Sequence, residues 1–258
     1  MGVLRSLEVA GRVSRTILSY LTVRAVANPS SSRKFLRTVA NTIVDFPEIE
    51  AQALRQLPAI GIEHICPEAS TLELSLTATP AREHALPSDE YFCLAALARS
   101  SEPSLAFEIG TNRGRSTRLI AEMAPEHAKV YTLDLPPERM LDGKCFKEAR
   151  GEFIGEEFRN HPARSKITQL YGDSKTFDFS PFHGRCDFIF IDGDHSYEGV
   201  KADTDHALKM LKPGGIIVWD DYHPVYGPGV MRCLEELART TPVHQIKGTR
   251  FGYYQAAG

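Results

Sequence analysis

Three short stretches hold most of the chemistry in this chain: FIDGDHSYEG at 190–199, FEIGTNRGRST at 107–117 and WDDY at 219–222. In the first, an apolar run ends in Asp192, Asp194 and His195, more titratable chemistry than a buried strand ordinarily ends in. Asp192 closes one apolar run, and Asp220 and Asp221 close another. In an open parallel sheet the carboxyl ends of the strands line the ligand crevice, so neighbouring strands would bring these carboxylates together. Uncompensated, the three would raise one another's pKa. A divalent cation relieves that repulsion, and an all-oxygen, half-open ligand set suits Mg²⁺. Adjacent residues of a strand point to opposite faces. Asp220 and Asp221 can therefore share one ion only if the strand has already broken, which Tyr222-His223-Pro224 favours. The alternative makes Asp220 a polar group on the ligand side and Asp221 a cap. His195 follows Asp192 by three residues, an offset that can swing its ring over the same crevice. With an ordinary pKa of about 6.5 it can accept a proton at neutral pH. Its other reading is a helix cap or a hydrogen-bond partner for an aspartate. Asp194 reads as turn chemistry, His223 as a weaker base or substrate contact, and Trp219 as packing within the sheet.

The elements that must position these residues follow from periodicity. Apolar runs bounded by turn signals predict strands at 104–110, 129–135, 166–174, 186–194 and 214–222. Between them, helices are predicted at 116–124, within 144–160, and at 197–211. A further helix is expected near 229–240, then a terminal hairpin built from PVHQIKG and TRFGYYQ. Strands alternating with helices imply an α/β fold with parallel pairing and helices on both faces. Upstream, Ser88 reads as an N-cap with Asp89 and Glu90 in the first turn of a helix running to about Arg99. Residues 58–87, with prolines at 58, 67, 80 and 87, read as a connector with a possible strand at 71–77. Helices are expected over 3–26, 33–44 and 47–57, which divides the chain into an N-terminal helical extension and connector (1–87) and a main domain (88–258).

The loop at 107–117 places Gly110 and Gly114 between a strand and a helix, where a backbone can approach a ligand. It is not G-x-G-x-x-G, because Asn112 holds the position of the second glycine, and no G-K-[ST] follows. Glu108 beside this loop would repel a phosphate but would favour a cationic or amino-bearing ligand. S-adenosylmethionine (SAM) carries a sulfonium and an α-ammonium and no phosphate. Asp134 ends the next strand, 20 residues after Gly114, where a carboxylate accepts hydrogen bonds from ribose hydroxyls. A strand-edge salt bridge for Glu108 and a helix cap for Asp134 are the competing readings.

These motifs carry a resemblance. E-I-G-x-x-x-G-x-S, followed by an acid-ended second strand, resembles the class I SAM-dependent methyltransferases. FIDGDHSYEGVKADTDHALKMLKPGGIIVWDDY (190–222) is similar to their small-molecule O-methyltransferase branch, the macrocin- and catechol-type enzymes with the cephalosporin-hydroxylase-related proteins. The likeness covers about 88–255 and does not name an acceptor. It implies a Rossmann-like seven-stranded sheet whose last strand is antiparallel. It implies cofactor contacts from Glu108, Gly110, Thr111, Gly114, Ser116 and Asp192, ribose binding by Asp134, and Asp173 and Ser174 near the adenine. It also implies a metal trio of Asp192, Asp220 and Asp221, with His195 as the base.

The bulk properties bound the rest. With 42% hydrophobic and 24% charged residues and a net charge of −3, the chain has no global footprint for a nucleic-acid backbone. Five scattered cysteines suggest reduced thiols in a cytoplasmic compartment. No apolar run is long enough for a membrane span. The acid-poor, Arg-rich start (1–44) reads as amphipathic helices packing on the domain or forming a dimer, with a targeting segment as the alternative. The expected function is methylation of a hydroxyl on a small sugar or phenolic acceptor, using SAM and a divalent cation. The alternatives are metal-independent methylation, a hydroxylase-associated SAM-binding role, and a partner-binding module.

Overall fold

The computed structural model describes residues 57–71, 88–137 and 153–258. The helices expected over 3–26, 33–44 and 47–57 lie outside these residues except for Leu57 itself, as do the possible strand at 71–77 (beyond Thr71) and most of the segment at 144–160. The described strands are β1 (Ala59–Ile60), β2 (Leu105–Ile109), β3 (Lys129–Asp134), β4 (Ile167–Tyr171), β5 (Cys186–Ile191), β6 (Leu211–Trp219), β7 (His244–Ile246) and β8 (Gly252–Gln255). The helices are α1 (Ile62–Ile65), α2 (Ser88–Ser100), α3 (Arg115–Met123), α4 (Glu156–Arg159), α5 (Tyr197–Met210) and α6 (Pro228–Leu237).

All eight strands join one sheet in the order β1-β7-β8-β6-β5-β2-β3-β4. Every pairing is parallel except the two made by β8, which runs against β6 and β7. The expected antiparallel final strand is therefore present, but the count is eight rather than seven. The extra strand is Ala59–Ile60, which pairs with Gln245 and Ile246 of β7. Two residues between Pro58 and Gly61 offer no period to read, and only the edge left open by β7 makes them a strand.

β2 and β5 are buried along their whole length, as central parallel strands covered on both faces must be. One face packs Phe188, Phe190 and Val218 beneath Leu94 and Leu97 of α2 and Leu119 of α3. The other packs Phe107, Ile189 and Trp219 beneath Val200 of α5 and Leu234 of α6. Each of these side chains contributes about 1.5–3 kcal/mol through burial. Trp219 is fully buried as expected, and its indole N–H donates to Thr204 Oγ1 at 2.9 Å. Ser196 caps α5 by accepting the Gly199 N–H at 3.1 Å.

At the carboxyl edge the hydrogen-bond ladder runs one step past the strands. Gly110 N–H bonds Leu133 O at 2.9 Å, Gly172 N–H bonds Asp134 O at 2.9 Å, Asp192 N–H bonds Ile109 O at 2.8 Å, and Asp220 N–H bonds Ile191 O at 3.0 Å. These bonds align the glycine loop, the Asp134 and Gly172 corner, Asp192 and Asp220 across five adjacent strand ends. The strands stop earlier than their apolar runs suggest: β4 at Tyr171, β5 at Ile191 and β6 at Trp219. The expected chemistry therefore sits in loops. Cys66, Cys93, Cys186 and Cys233 are buried free thiols. Among the described residues, no helix is long and apolar enough to cross a membrane.

Candidate active site

The loop after β2 winds through three left-handed residues, Gly110 (φ 100°), Asn112 (φ 46°) and Gly114 (φ 80°). Asn112 adopts a left-handed conformation, which asparagine tolerates better than most residues. A methyl group on Gly110 would overlap the Asp192 carbonyl, and one on Gly114 would overlap the Phe158 ring. Both glycines are thus required by the protein's own packing, which closes β5 and α4 against the loop. α4 also holds the loop through Glu157 N–H to Arg113 O at 2.9 Å and an Arg113–Glu156 ion pair.

Asp134 organises the same loop. Its Oδ2 accepts the Thr111 N–H at 3.1 Å and the Asn112 N–H at 2.7 Å, and its Oδ1 accepts the Leu135 N–H at 2.7 Å. Burial pushes the Asp134 carboxyl upward, and the three N–H donors oppose that shift. Glu108 is completely buried beneath the N-terminal turn of α3. Its Oε2 accepts hydroxyl hydrogen bonds from Thr117 and, at 2.6 Å, from Thr132. Ser116 is also buried, and its hydroxyl lies close enough to the carboxylate to favour the charged form. Burial drives the Glu108 pKa up to about 7 against these donors, while Oε1 is buried without a directed hydrogen bond. Thr111 Oγ1 lies 2.7 Å from Thr132 Oγ1 and accepts from Gln169 Nε2 at 2.9 Å. Thr117 sat unremarked within the quoted motif, whereas Thr132 and Gln169 carry no sequence signal.

Beyond β3 and β4, a cleft of about 430 Å³ is lined by Pro136, Gly172, Asp173, Thr176, Phe177 and Asp178. Asp173 is at its wall. Ser174 follows it in the chain, near Asp203, a buried carboxyl of α5 whose pKa burial raises to about 6. The residues present suit SAM on two counts. An orphaned carboxylate oxygen at the glycine loop matches an ammonium, and the cleft beside Asp134 has room for a purine.

The acidic cluster takes a form the motifs alone do not specify. β6 ends before Asp220, and Asp221 is a non-glycine residue in the left-handed region (φ 55°). The two neighbours are thereby released from opposite faces of a strand. Asp220 is buried, its Oδ1 accepts the Asp221 N–H at 2.7 Å, and burial with Asp192 and Asp221 nearby lifts its pKa to about 8. His195 lies between the other two carboxylates, with Nε2 at 3.4 Å from Asp192 Oδ1 and Nδ1 at 3.3 Å from Asp221 Oδ2. The hydrogen bond to Asp192 raises the imidazole to about 9. Burial raises the Asp192 carboxyl, against the pull of His195.

Asp192, Asp220 and Asp221 are thus neighbours, but they do not close on a common point. Among the described residues no three His, Cys, Asp or Glu groups are placed to hold a metal ion. Asp220 is turned onto the backbone, and Asp221 onto His195 and Arg250. Asp194 keeps its structural reading, accepting the Ser196 N–H at 3.0 Å and hydroxyl at 2.8 Å and pairing with Lys175. His223 stacks on exposed Tyr226, with ring centres 4.7 Å apart. Sequence reasoning missed Glu90 and Arg250, which lie 160 positions apart and meet in a two-point ion pair beside Asp221.

Sheet order and glycine loop together define a Rossmann-like α/β domain with its ligand crevice at the carboxyl ends of the strands. Residues 107–222 match the model of a family described as a methyltransferase domain. Among curated proteins, the chain is 31% identical over 114 residues to caffeoyl-CoA O-methyltransferase 5 of Nicotiana tabacum, covering 44% of each chain. It is 28% identical over 133 residues to caffeoyl-CoA O-methyltransferase 2 of Petunia hybrida, covering 52% of each. The chain spans about half the length of the curated relatives it matches. Among solved structures, the fold matches an O-methyltransferase from Bacillus cereus in complex with SAH, with TM-score 0.53 and 19% identity over 76% of this chain and 90% of that one. It also matches the O-methyltransferase TomG of Streptomyces achromogenes in complex with SAM, with TM-score 0.50 and 18% identity over 76% and 96%. The resemblance read from the motifs, to the small-molecule O-methyltransferase branch of the class I enzymes, therefore stands.

Proposed function

We infer that this protein is a SAM-dependent O-methyltransferase acting on a hydroxyl of a small sugar or phenolic acceptor in natural-product biosynthesis. The observation that carries this is the alignment, on one sheet edge, of the Glu108 and Asp134 loop with His195 between two carboxylates. SAM, when bound, supplies an electrophilic methyl group. Glu108 would pair with its ammonium through Oε1, with Ser116 steadying that carboxylate. The backbone of Gly110, Thr111 and Gly114 would line the methionine side. Asp134 keeps lone pairs for the ribose hydroxyls, and Asp173 borders the adenine cleft. Ser174, the next residue, would complete the adenine-side contacts.

His195 would take the acceptor's proton at Nε2, the nitrogen that faces Asp192. A pKa of about 9 means the ring is mostly protonated at neutral pH, so the fraction able to accept a proton grows with pH. A second reading adds a divalent cation on Asp192, Asp220 and Asp221. Charge favours it, because three aspartates cluster around a single histidine while Arg250 is shared with Glu90. The present side-chain arrangement does not provide its ligand set. Cytoplasmic location and a dimer through the N-terminal segment complete the proposal and rest on composition and family habit.

Transfer of labelled methyl from SAM to a panel of hydroxylated acceptors, with and without EDTA, tests both readings. Methylation that survives chelation favours the first, and methylation abolished by EDTA and restored by Mg²⁺ favours the second. Failure to bind SAM would remove the whole assignment.

A further inference from the structure

We propose that Arg250, gripped by buried Glu90, is a positioning residue that sets Asp221 and, through it, the His195 ring. This deepens the reading of His195 as the base and rests on it. Glu90, in the first turn of α2, has a side chain only 3% exposed. It accepts three bonds from Arg250: the backbone N–H at 2.8 Å, Nε–H at 2.9 Å and Nη2–H at 2.6 Å. An arginine held at both backbone and guanidinium has little freedom left.

The remaining nitrogen, Nη1, lies 2.6 Å from Asp221 Oδ1. The contact is off the hydrogen-bond line, since Oδ1 is buried without a directed donor, so the attraction is one of charge. The Arg250 carbonyl accepts the Tyr222 N–H at 2.7 Å, which fixes the backbone immediately after Asp221. Asp221 then meets His195 Nδ1 through its other oxygen at 3.3 Å. The line Glu90–Arg250–Asp221–His195 thus runs from the interior to a ring that is 35% exposed at the crevice. It joins α2, the β7–β8 turn, the end of β6 and the end of β5.

Asp221 is strained (φ 55°), and such backbone persists where its surroundings over-determine it. Arg250 does this from both sides, by charge and by backbone. Asp221 in this role orients the base, as a carboxylate on the far nitrogen of a catalytic histidine does. The geometry of the base is then built into the protein.

The test is a Glu90→Gln/Arg250→Gln double variant, which removes the acid and its cation together and strands neither. Thermal unfolding and SAM calorimetry verify its fold and its cofactor loop. The expected result is a kcat lowered roughly 10–100-fold, as for loss of an outer-shell orienting group, with KM for SAM changed by less than about twofold. Adding Asp221→Asn to that variant should cost little more, because the effect of Arg250 runs through Asp221. Arg250→Lys should not restore kcat, since an ammonium cannot span both carboxylates. An unchanged kcat in the double variant overturns the proposal, as does a full, independent loss from Asp221→Asn on top of it. A raised KM for SAM with kcat intact overturns it too, making Arg250 a general support. If His195→Ala keeps full kcat, the base assignment beneath the proposal falls, whatever the Arg250 variants do.

Discussion

Glu108→Gln tests the reading of the glycine loop most directly. In the folded protein the Glu108 carboxyl titrates at about 7, against an ordinary 4.5, with burial as the largest cause. Between those values the folded state binds more protons than the unfolded one, so stability falls as pH rises through the window and is fully reduced above about 7. The gap corresponds to about 3 kcal/mol. Glutamine stays neutral, and its oxygen can still accept the Thr117 and Thr132 hydroxyls. Its amide would fall where Oε1 has no directed partner, at a cost of about 1 kcal/mol. The ligand-free variant should therefore be about 2 kcal/mol more stable than the parent near pH 8 and slightly less stable near pH 5. Urea unfolding across that range measures it. SAM affinity should move the other way, falling roughly 10–100-fold by calorimetry as a charge-assisted bond is lost. A variant no more stable than the parent near pH 8 would refute the burial argument. Unaltered SAM affinity would refute the ammonium assignment.

Three further expectations follow from the same geometry. His195 sits at about 9 because of its bond to Asp192, so kcat/KM should climb with pH toward about 9 and the profile of Asp192→Asn should shift toward about 6.5; a profile that is flat from about pH 6 to 9 would contradict this. The same pair stabilises the fold below about 6.5, and that contribution is lost as pH rises through about 9. Gly110→Ala should lose SAM binding and at least about 1–3 kcal/mol of stability, since it forces a side chain into a left-handed position against Asp192; thermal unfolding and calorimetry report both. Asp134→Ala should raise KM for SAM roughly 10-fold or more and expose the Thr111 and Asn112 amides to hydrogen exchange, because its carboxylate bonds both.

The central elements were legible because parallel strands covered on both faces must be almost wholly apolar. Leu105–Ile109 and Cys186–Ile191 are such runs. The helix read at 197–211 is α5 (Tyr197–Met210), and the run read at 214–222 holds the buried half of β6. The strand ends were read too far because an apolar run does not record where pairing stops. Ala59–Ile60 could not be read as a strand at all, since its only reason for being one is the free edge of β7.

At the site, residue type and spacing determined a great deal. They placed acids after apolar strands, left-handed glycines before a helix, and a histidine three positions from an aspartate. These are local facts, set by backbone sterics and by the two-residue period of strands. Which carboxylate answers to which partner was decided only in the tertiary structure. Gly110 is glycine because Asp192, 82 positions on, closes over it. Asp221 faces His195 and Arg250 because β6 breaks after Trp219 and Glu90 anchors the arginine from another helix. Charges in a buried cluster settle by distance and desolvation, and both are properties of the packed molecule.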